Sequence, residues 1–449
     1  MPLYEVRSAM RFIRASVVTQ RENDLRPRGL GRSVATQESA LPRDESRADE
    51  PRSPGVFSVC RTIQVNEPNE LPFSRDEYAS RLDKVRRRME ASGVDVLLTT
   101  VPENMIYLTG YSTLGYFTYQ LLAVSLDHDP MLLTRAINVE KAEVDSTLRH
   151  IVGYRDTEDP DEATYRMLEA YGLLGKRISH QDDAWFFSVS RYKKLLRRLG
   201  VDDLPDGSGL VEHVRRVKSP REIDAIREAG RYCQASVAAA IEAVAAGATD
   251  NDVAAAAYHA LYRAGSEFLG HEAQFVAGPA AGLGFECARR RPIRKDDVVY
   301  MEAGATHNRY NCMLSRTVLV GKPGPKWIDA ANASRDALNA AKAAIRPGVT
   351  SHDVDRAARE VMRAAGFAPY FMHRTGYSIG IGVPPDWGEG RIMSINEHDP
   401  AVLEPGMCFH LIPDLKIVHE GGVVFSESVA VTTTGHEVLS PFSQELVVK

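Results

Sequence analysis

The feature that most constrains the fold is an internal repeat in the C-terminal half of the chain. Residues 247–265 and 348–366 share a turn glycine, a threonine two residues later, an alanine pair and a closing glycine, at a constant offset of 101 residues. Each copy predicts a turn, an N-capping threonine and a helix that ends at glycine. Residues 296–302 and 406–412 match again and predict a strand in each copy. A duplication of about 100 residues predicts two α+β half-units related by pseudo-twofold symmetry.

Glu302 lies within an apolar run over residues 297–305, which we predict to be a strand followed by a tight turn and a second strand. A carboxylate inside a buried strand is costly unless it is paired, hydrogen-bonded or bound to a metal. The repeat aligns Glu302 with Ile412 and Met313 with Glu427. A site on the pseudo-axis would take side chains from matching strand positions of both halves.

The segment before the repeat predicts a separate domain. Strands are expected at residues 94–99, 121–126 and 131–134, with helices at 103–108 and 138–144 between them. This alternation predicts an α/β domain of about 140 residues. A linker helix follows, because Ser219, Pro220 and Glu222 form an N-terminal capping box with proline at the first helical position.

The first part of the chain differs in composition. It is rich in Arg, Ser, Pro and acidic residues and has no apolar period, which predicts a disordered extension. The sequence therefore predicts three parts: an extension over residues 1–71, an α/β domain over 72–213 and a duplicated domain over 214–449.

The overall composition excludes several classes of function. A net charge of −5 indicates neither nucleic acid nor a membrane surface as partner. No apolar run approaches the roughly 20 residues that span a bilayer. The five cysteines are scattered without a CxxC motif, which disfavours a disulfide framework and a structural zinc site. A reducing, cytoplasmic location is expected.

Several motifs of residues 72–449 resemble those of the pita-bread superfamily, which contains methionine aminopeptidase, prolidase and creatinase. They are Val94-Asp95-Val96-Leu97-Leu98, Tyr107-Leu108-Thr109-Gly110-Tyr111, Lys218-Ser219-Pro220-Arg221-Glu222-Ile223 and Leu403-Glu404-Pro405-Gly406-Met407. The resemblance implies an α+β pita-bread catalytic domain, internally duplicated, after an α/β creatinase-type N-terminal domain.

Peptidases of this superfamily bind two metal ions through five side chains, in the order Asp, Asp, His, Glu, Glu. The resemblance places these positions on Glu302, Met313, Tyr377, Ile412 and Glu427. Two carboxylates alone cannot fill the coordination shells of two hard divalent cations. We therefore expect no metal and no other cofactor.

The run from His373 to Gly380, the segment 384–390 and the segment Phe409–Pro413 resemble the metal-independent branch that contains ectoine hydrolase. This resemblance implies hydrolysis of a C–N bond in a small cyclic amidine or a related nitrogen-rich amino-acid derivative. Two alternatives stay open: an Xaa-Pro metallopeptidase, and a non-catalytic binding protein on the same fold.

Catalytic roles are expected for Glu302, Glu427 and His373. Glu302 and Glu427 should face one cavity, with Glu302 as the nucleophile or the group that orients water. Glu427 would hold the substrate nitrogen, while His373 or His410 would move protons. Arg374 would clamp a substrate carboxylate, since its guanidinium fork suits that group.

Further substrate contacts are expected from Tyr310, Tyr377 and His410. Creatinase-type relatives are homodimers, which implies that Tyr116 and Phe117 of one subunit lie at the site of the other. The base-competent histidine of creatinase falls on Phe285 here or, with a shift of one residue, on Glu286.

Overall fold

The computed structural model describes residues 61–62 and 71–449. The predicted extension over residues 1–71 lies outside the described residues, except that Arg61–Thr62 form a two-residue edge strand and residue 71 begins the continuous part. Among the residues described, no helix is long and apolar enough to cross a membrane.

The described strands and helices alternate over the first part of the chain and are numbered here in chain order. The strands are β1 (Arg61–Thr62), β2 (Val96–Thr99), β3 (Leu121–Ser125), β4 (Met131–Arg135), β5 (His150–Tyr154), β6 (Ile178–His180), β7 (Gln274–Ala277), β8 (Val298–His307), β9 (Tyr310–Leu319), β10 (Gly376–Ser378), β11 (Ser394–Ile395), β12 (Cys408–Leu411), β13 (Leu415–Ile417), β14 (Gly421–Val423), β15 (Glu427–Val431), β16 (His436–Val438) and β17 (Val447–Val448). The α-helices are α1 (Arg75–Ala91), α2 (Pro102–Thr109), α3 (Val139–Val144), α4 (Pro160–Ala170), α5 (Val189–Leu199), α6 (Glu212–Arg215), α7 (Pro220–Ala243), α8 (Asp250–Ala264), α9 (Pro325–Ala344) and α10 (Ser351–Ala364).

The N-terminal sheet has the strand order β1-β5-β4-β3-β2-β6 and mixes parallel with antiparallel pairs. All four residues of β2 are buried. Leu97 packs into one apolar cluster, and Val96 and Leu98 pack into another. Because successive side chains point to opposite faces, this sheet is covered on both sides, which explains the unbroken apolar run in the sequence.

The duplicated domain contains the two predicted half-units. One sheet has the order β17-β9-β8-β7 and packs against α7 and α8, while the other has the order β11-β10-β12-β15-β16 and lies beside α9 and α10. Thr249 and Thr350 each cap a helix through a complete capping box, as the repeat predicts. An antiparallel bridge between Ser315 and Ser426 joins the two sheets.

A tight hairpin places Glu302 in the first of these sheets. Asn308 and Arg309 connect β8 to β9 with positive φ angles of 52° and 66°, as a two-residue type I′ turn requires. The register pairs Glu302 with Ser315 and Gly304 with Met313. The fold class predicted from the sequence is confirmed.

Candidate active site

A cavity of about 560 Å³ opens beside β8 and is lined mostly by residues of the duplicated domain. Its inner wall carries ionisable and polar side chains, and its mouth carries apolar ones. The lining residues used below are Trp185, Gln274, Tyr300, Glu302, Met372, His373, Arg374, Tyr377, Trp387, Ile412, Asp414, Lys416 and Phe285.

Glu302 is the buried carboxylate of this wall and is 3% exposed. Its Oε2 accepts hydrogen bonds from the Gln274 Nε2 at 2.8 Å and from the Tyr300 hydroxyl at 3.3 Å. Burial and the nearby Asp414 together raise the pKa of Glu302 to about 7, although Lys416 and the hydrogen bond from Tyr300 oppose the shift. A carboxyl group with such a pKa is present in both protonation states near neutral pH, which suits acid–base or nucleophilic work.

Asp414 and Lys416 bring two further charges to the cavity. They flank Leu415 at the start of β13, so that both side chains lie on the same face. The Lys416 Nζ lies 3.3 Å from the centre of the Tyr300 ring, donates a hydrogen bond to the Ala281 carbonyl at 3.2 Å, and lies 3.9 Å from the Asp414 Oδ2. Burial lowers the pKa of Lys416, although Asp414 and Glu302 both act to raise it.

His373 and Arg374 line the cavity, as expected for residues that meet a substrate. The Nδ1 of His373 lies 2.8 Å from the Arg374 carbonyl, so that Nδ1 is the donor in this contact and Nε2 keeps its lone pair in the neutral ring. Burial lowers the pKa of His373, with Asp414 acting against it. The Arg374 guanidinium lies 4.7 Å from the centre of the Tyr377 ring and donates to the Ser394 Oγ at 2.9 Å.

Tyr377 lines the cavity, and its hydroxyl is engaged by two neighbouring side chains. It accepts a hydrogen bond from the Trp387 Nε1 at 3.0 Å and lies 3.0 Å from the His410 Nδ1. The His410 Nε2 lies 2.7 Å from the Ser426 Oγ. We call this series of four side chains, Trp387, Tyr377, His410 and Ser426, the neutral chain, because burial lowers the pKa of His410 to about 3.

The structure corrects the expected place of His410. The side chain is fully buried within the neutral chain and does not line the cavity. It therefore has no direct route to a substrate as a proton shuttle or a binding group.

The expectation that Glu427 shares a cavity with Glu302 is wrong. Ser315 pairs with both Glu302 and Ser426, and directly paired residues point to the same face of a sheet. Ser426 therefore lies on the face of Glu302, and Glu427 points to the opposite one. The Glu427 carboxylate binds Arg316 at 3.3 Å and Lys342 at 2.5 Å.

This correction changes the ligand alignment by one residue. The position of the fifth superfamily ligand falls on Ser426 rather than Glu427, because a one-residue shift along a strand exchanges the two faces. Glu427 is instead the acceptor of a buried ion cluster, with Gln444 Nε2 also donating to its Oε1 at 3.1 Å.

Tyr310 is also misplaced by the sequence analysis. Its hydroxyl donates to the Glu222 Oε1 at 2.7 Å, and its ring packs edge-on against Phe73 at 5.5 Å. It lines a different cavity of about 460 Å³. Tyr310 therefore belongs to a core cluster with Phe73 and not to the wall that carries Glu302.

Tyr116 and Phe117 lie on a 3₁₀ turn (Leu114–Phe117) away from the cavity of their own chain. Phe117 is 69% exposed, so that it is free to contact another molecule. Their placement at a partner's site stays a prediction. Of the two residues offered in place of creatinase's histidine, Phe285 lines the cavity mouth, whereas Glu286 pairs with Arg291 at 3.0 Å.

Sequence reasoning missed Lys416, Asp414, Gln274 and Tyr300. The sequence does carry a signal for Asp414 and Lys416. They are two charged residues on either side of Leu415, shortly after the predicted strand over residues 406–412. Gln274 could not be found in this way. It reaches Glu302 only because β7 pairs with β8 in the register Gln274↔Glu302.

The superfamily implies two metal ions, and the donor set does not fit them. The five positions carry Glu302, Met313, Tyr377, Ile412 and Ser426. Thioether, alkyl and hydroxyl groups are poor ligands for hard divalent cations, and Tyr377 and Ser426 already hydrogen-bond to the His410 ring. Within the described ranges, no group of three or more His, Cys, Asp or Glu could hold a metal ion.

Comparison with known families agrees with this architecture. The creatinase/prolidase N-terminal domain matches residues 81–217, and metallopeptidase family M24 matches residues 224–433. An uncharacterized hydrolase/peptidase of Sinorhizobium fredii is 36% identical over 84% of this chain and 99% of that protein. The chain belongs to the M24 family.

Two other relatives show how varied this family is. The ectoine hydrolase of Halomonas elongata is 31% identical over 86% of this chain and its own full length. The crystal structure of the prolidase from Pyrococcus horikoshii aligns with a TM-score of 0.73 over 82% of this chain and all of that chain, at 23% identity. These matches support a hydrolase of the M24 family and confirm the pita-bread fold.

Proposed function

We propose that this M24 protein hydrolyses a C–N bond in a small, nitrogen-rich amino-acid derivative such as a cyclic amidine, without a metal ion. The observation that carries the proposal is Glu302. It is a buried carboxyl group with a pKa of about 7 that lines a cavity where the superfamily's metal ligands are replaced. Similarity to the ectoine hydrolase of Halomonas elongata supports the class of substrate.

The charged side chains around the cavity suit a substrate that carries one positive and one negative group. Asp414, together with ionised Glu302, would hold a cationic amidinium group. Asp414 thus replaces Glu427 as the carboxylate expected to bind the substrate nitrogen. Arg374 would bind a substrate carboxylate, since its position above Tyr377 directs the guanidinium along the cavity wall. Glu302 is then placed to attack the amidine carbon or to orient the water that does.

His373 would move protons between the substrate and solvent. Its Nδ1 is engaged by the Arg374 carbonyl, which leaves Nε2 to accept and release a proton at the cavity wall. The lowered pKa keeps the ring neutral and therefore ready to act as a base near neutral pH.

A homodimer would complete the site. The apolar side chains at the cavity mouth include Phe285 at 79% exposed and Met372 at 71% exposed, and Leu114 and Phe117 are similarly exposed on the N-terminal domain. We place the turn Leu114–Phe117 of one subunit against the cavity mouth of the other, where Tyr116 and Phe117 would shield the substrate from water.

The test is a screen of chelator-treated protein against ectoine, guanidino acids and Xaa-Pro dipeptides. Turnover of ectoine or a guanidino acid that survives chelation, and that falls about 10³-fold or more in Glu302→Gln, supports the proposal. Glu286→Gln is the matched control, because that carboxylate lies outside the cavity. Activity on Xaa-Pro dipeptides that vanishes with chelation and returns with Mn²⁺ would instead indicate a metallopeptidase.

A further inference from the structure

We propose that Lys416 is a further catalytic residue, which donates the proton that the leaving nitrogen needs when the C–N bond breaks. The inference rests on the proposed function and adds a residue that sequence reasoning did not find. It is carried by the position of Lys416 in the lining of the same cavity as Glu302, with its ammonium over the Tyr300 ring whose hydroxyl binds Glu302.

The backbone directs Lys416 inward and holds it there. Lys416 pairs with Gly422 across the two-stranded sheet of β13 and β14. A Cβ atom at Gly422 would lie 2.2 Å from the Ala281 carbonyl oxygen, so that only glycine lets this carbonyl approach. The same carbonyl accepts the hydrogen bond from the Lys416 Nζ at 3.2 Å, which fixes the ammonium group over the Tyr300 ring.

Tyr300 connects the lysine to the proposed nucleophile. Its ring face lies 3.3 Å from the Lys416 Nζ, and its hydroxyl donates to the Glu302 Oε2 at 3.3 Å. The ammonium therefore lies over the face of the same phenol ring whose hydroxyl binds the carboxylate. A small substrate whose carbon meets Glu302 would have its ring nitrogen within reach of Lys416.

Lys416 is better suited to proton transfer than the other cation of this wall. In the part of the chain that the structure describes, Arg374 and Lys416 are the lysine and arginine side chains lining the cavity. A guanidinium keeps its proton in proteins, whereas a buried ammonium gives it up more easily. Burial lowers the pKa of Lys416 toward the range that such a donor requires.

The proton balance closes in two steps. Ionised Glu302 bonds to the amidinium carbon and gives a neutral tetrahedral adduct; the Lys416 ammonium then protonates one nitrogen, and that C–N bond breaks. This leaves a neutral amine, a cationic imidate ester on Glu302 and neutral Lys416. Water then attacks the imidate carbon and gives a proton to Lys416. The amide leaves, Glu302 becomes a carboxylate again, and the remaining proton goes to the product amine.

Substitutions that separate charge from proton donation test this role. Lys416→Arg keeps the positive charge but cannot release a proton, and Lys416→Met removes both. We expect each to lower kcat by about 100-fold or more on a substrate that the parent protein converts. Lys322→Met, an exposed lysine outside the cavity, should leave kcat unchanged.

Chemical rescue adds a measurement that a structural role would not change. Ethylammonium should restore part of the kcat of Lys416→Ala in proportion to its concentration. Parental kcat in Lys416→Arg, or folded Lys416→Ala without rescue, would overturn the donor role alone. If the parent protein converts no member of the panel, the proposed function fails and the role of Lys416 fails with it.

If these variants do not fold, the parent protein itself can test whether a donor protonates the leaving nitrogen. With a proton donor in place, an N-alkyl and an N-aryl acetamidine should turn over at similar rates, because the basic amine is protonated as it leaves. A much slower N-alkyl compound would show that no donor serves the leaving nitrogen.

Discussion

The surroundings of Glu302 and Glu427 differ although both glutamates are 3% exposed on strands of the duplicated domain. Glu427 has two cations within 3.3 Å and points away from the cavity. Glu302 accepts hydrogen bonds from neutral groups, lines the cavity and has a pKa of about 7. Burial alone therefore does not identify a functional carboxylate; the charge of its partners and the face it occupies do.

The largest expected effect of this difference is on activity. Glu302→Gln should lower kcat by about 10³-fold or more, while Glu427→Gln should keep most of the activity of whatever fraction folds. Single-turnover rates normalised to folded protein would measure this. Equal losses in the two variants would remove the functional distinction between the two sites.

The second effect is on stability, where Glu427→Gln should cost more than Glu302→Gln. Glu427→Gln leaves Arg316 and Lys342 without their buried anion, so we expect the free energy of unfolding to fall by about 3 kcal/mol. Glu302→Gln keeps a polar group of the same size and should change it by less than about 1 kcal/mol at neutral pH. Urea unfolding of both variants measures the difference.

The third effect is the pH dependence that Glu302 imposes. Its folded pKa is raised from 4.5 to about 7, so the folded state binds more protons than the unfolded state between these values. This contribution to stability is fully present below pH 4.5 and is lost as the pH rises through 7. The parent protein should therefore lose up to about 3 kcal/mol relative to Glu302→Gln between pH 4.5 and 7.5. Parallel unfolding curves for the two proteins across this range would show that the pKa of Glu302 is unshifted.

The smallest effect concerns Ser426, a member of the neutral chain that does not line the cavity. Ser426→Ala removes the partner of the His410 Nε2 and should cost about 1–2 kcal/mol of stability. It should change KM and kcat only a little, because Ser426 does not line the cavity. A large fall in kcat with unchanged stability would place Ser426 in the catalytic machinery.

The fold was largely predictable because its signals are local. The capping threonines Thr249 and Thr350 and the strand–turn–strand pattern around Glu302 each depend on a few neighbouring residues, and the structure contains all of them. The site was less predictable because it depends on pairing between distant strands. Whether Ser426 or Glu427 faces Glu302 is decided by a bridge to Ser315, 111 residues earlier than Ser426, which no local pattern reports.

The neutral chain has a consequence for how this protein could change over generations. A mutation that returned histidine to position 377 would leave the Trp387 Nε1 and the His410 ring without the hydroxyl that now joins them. An acidic residue at position 426 would meet the same histidine. Each of these single substitutions thus replaces a hydroxyl that now binds the His410 ring. Because both hydroxyls bind the same buried ring, the residues at positions 377 and 426 depend on each other, and we expect them to change together rather than one at a time.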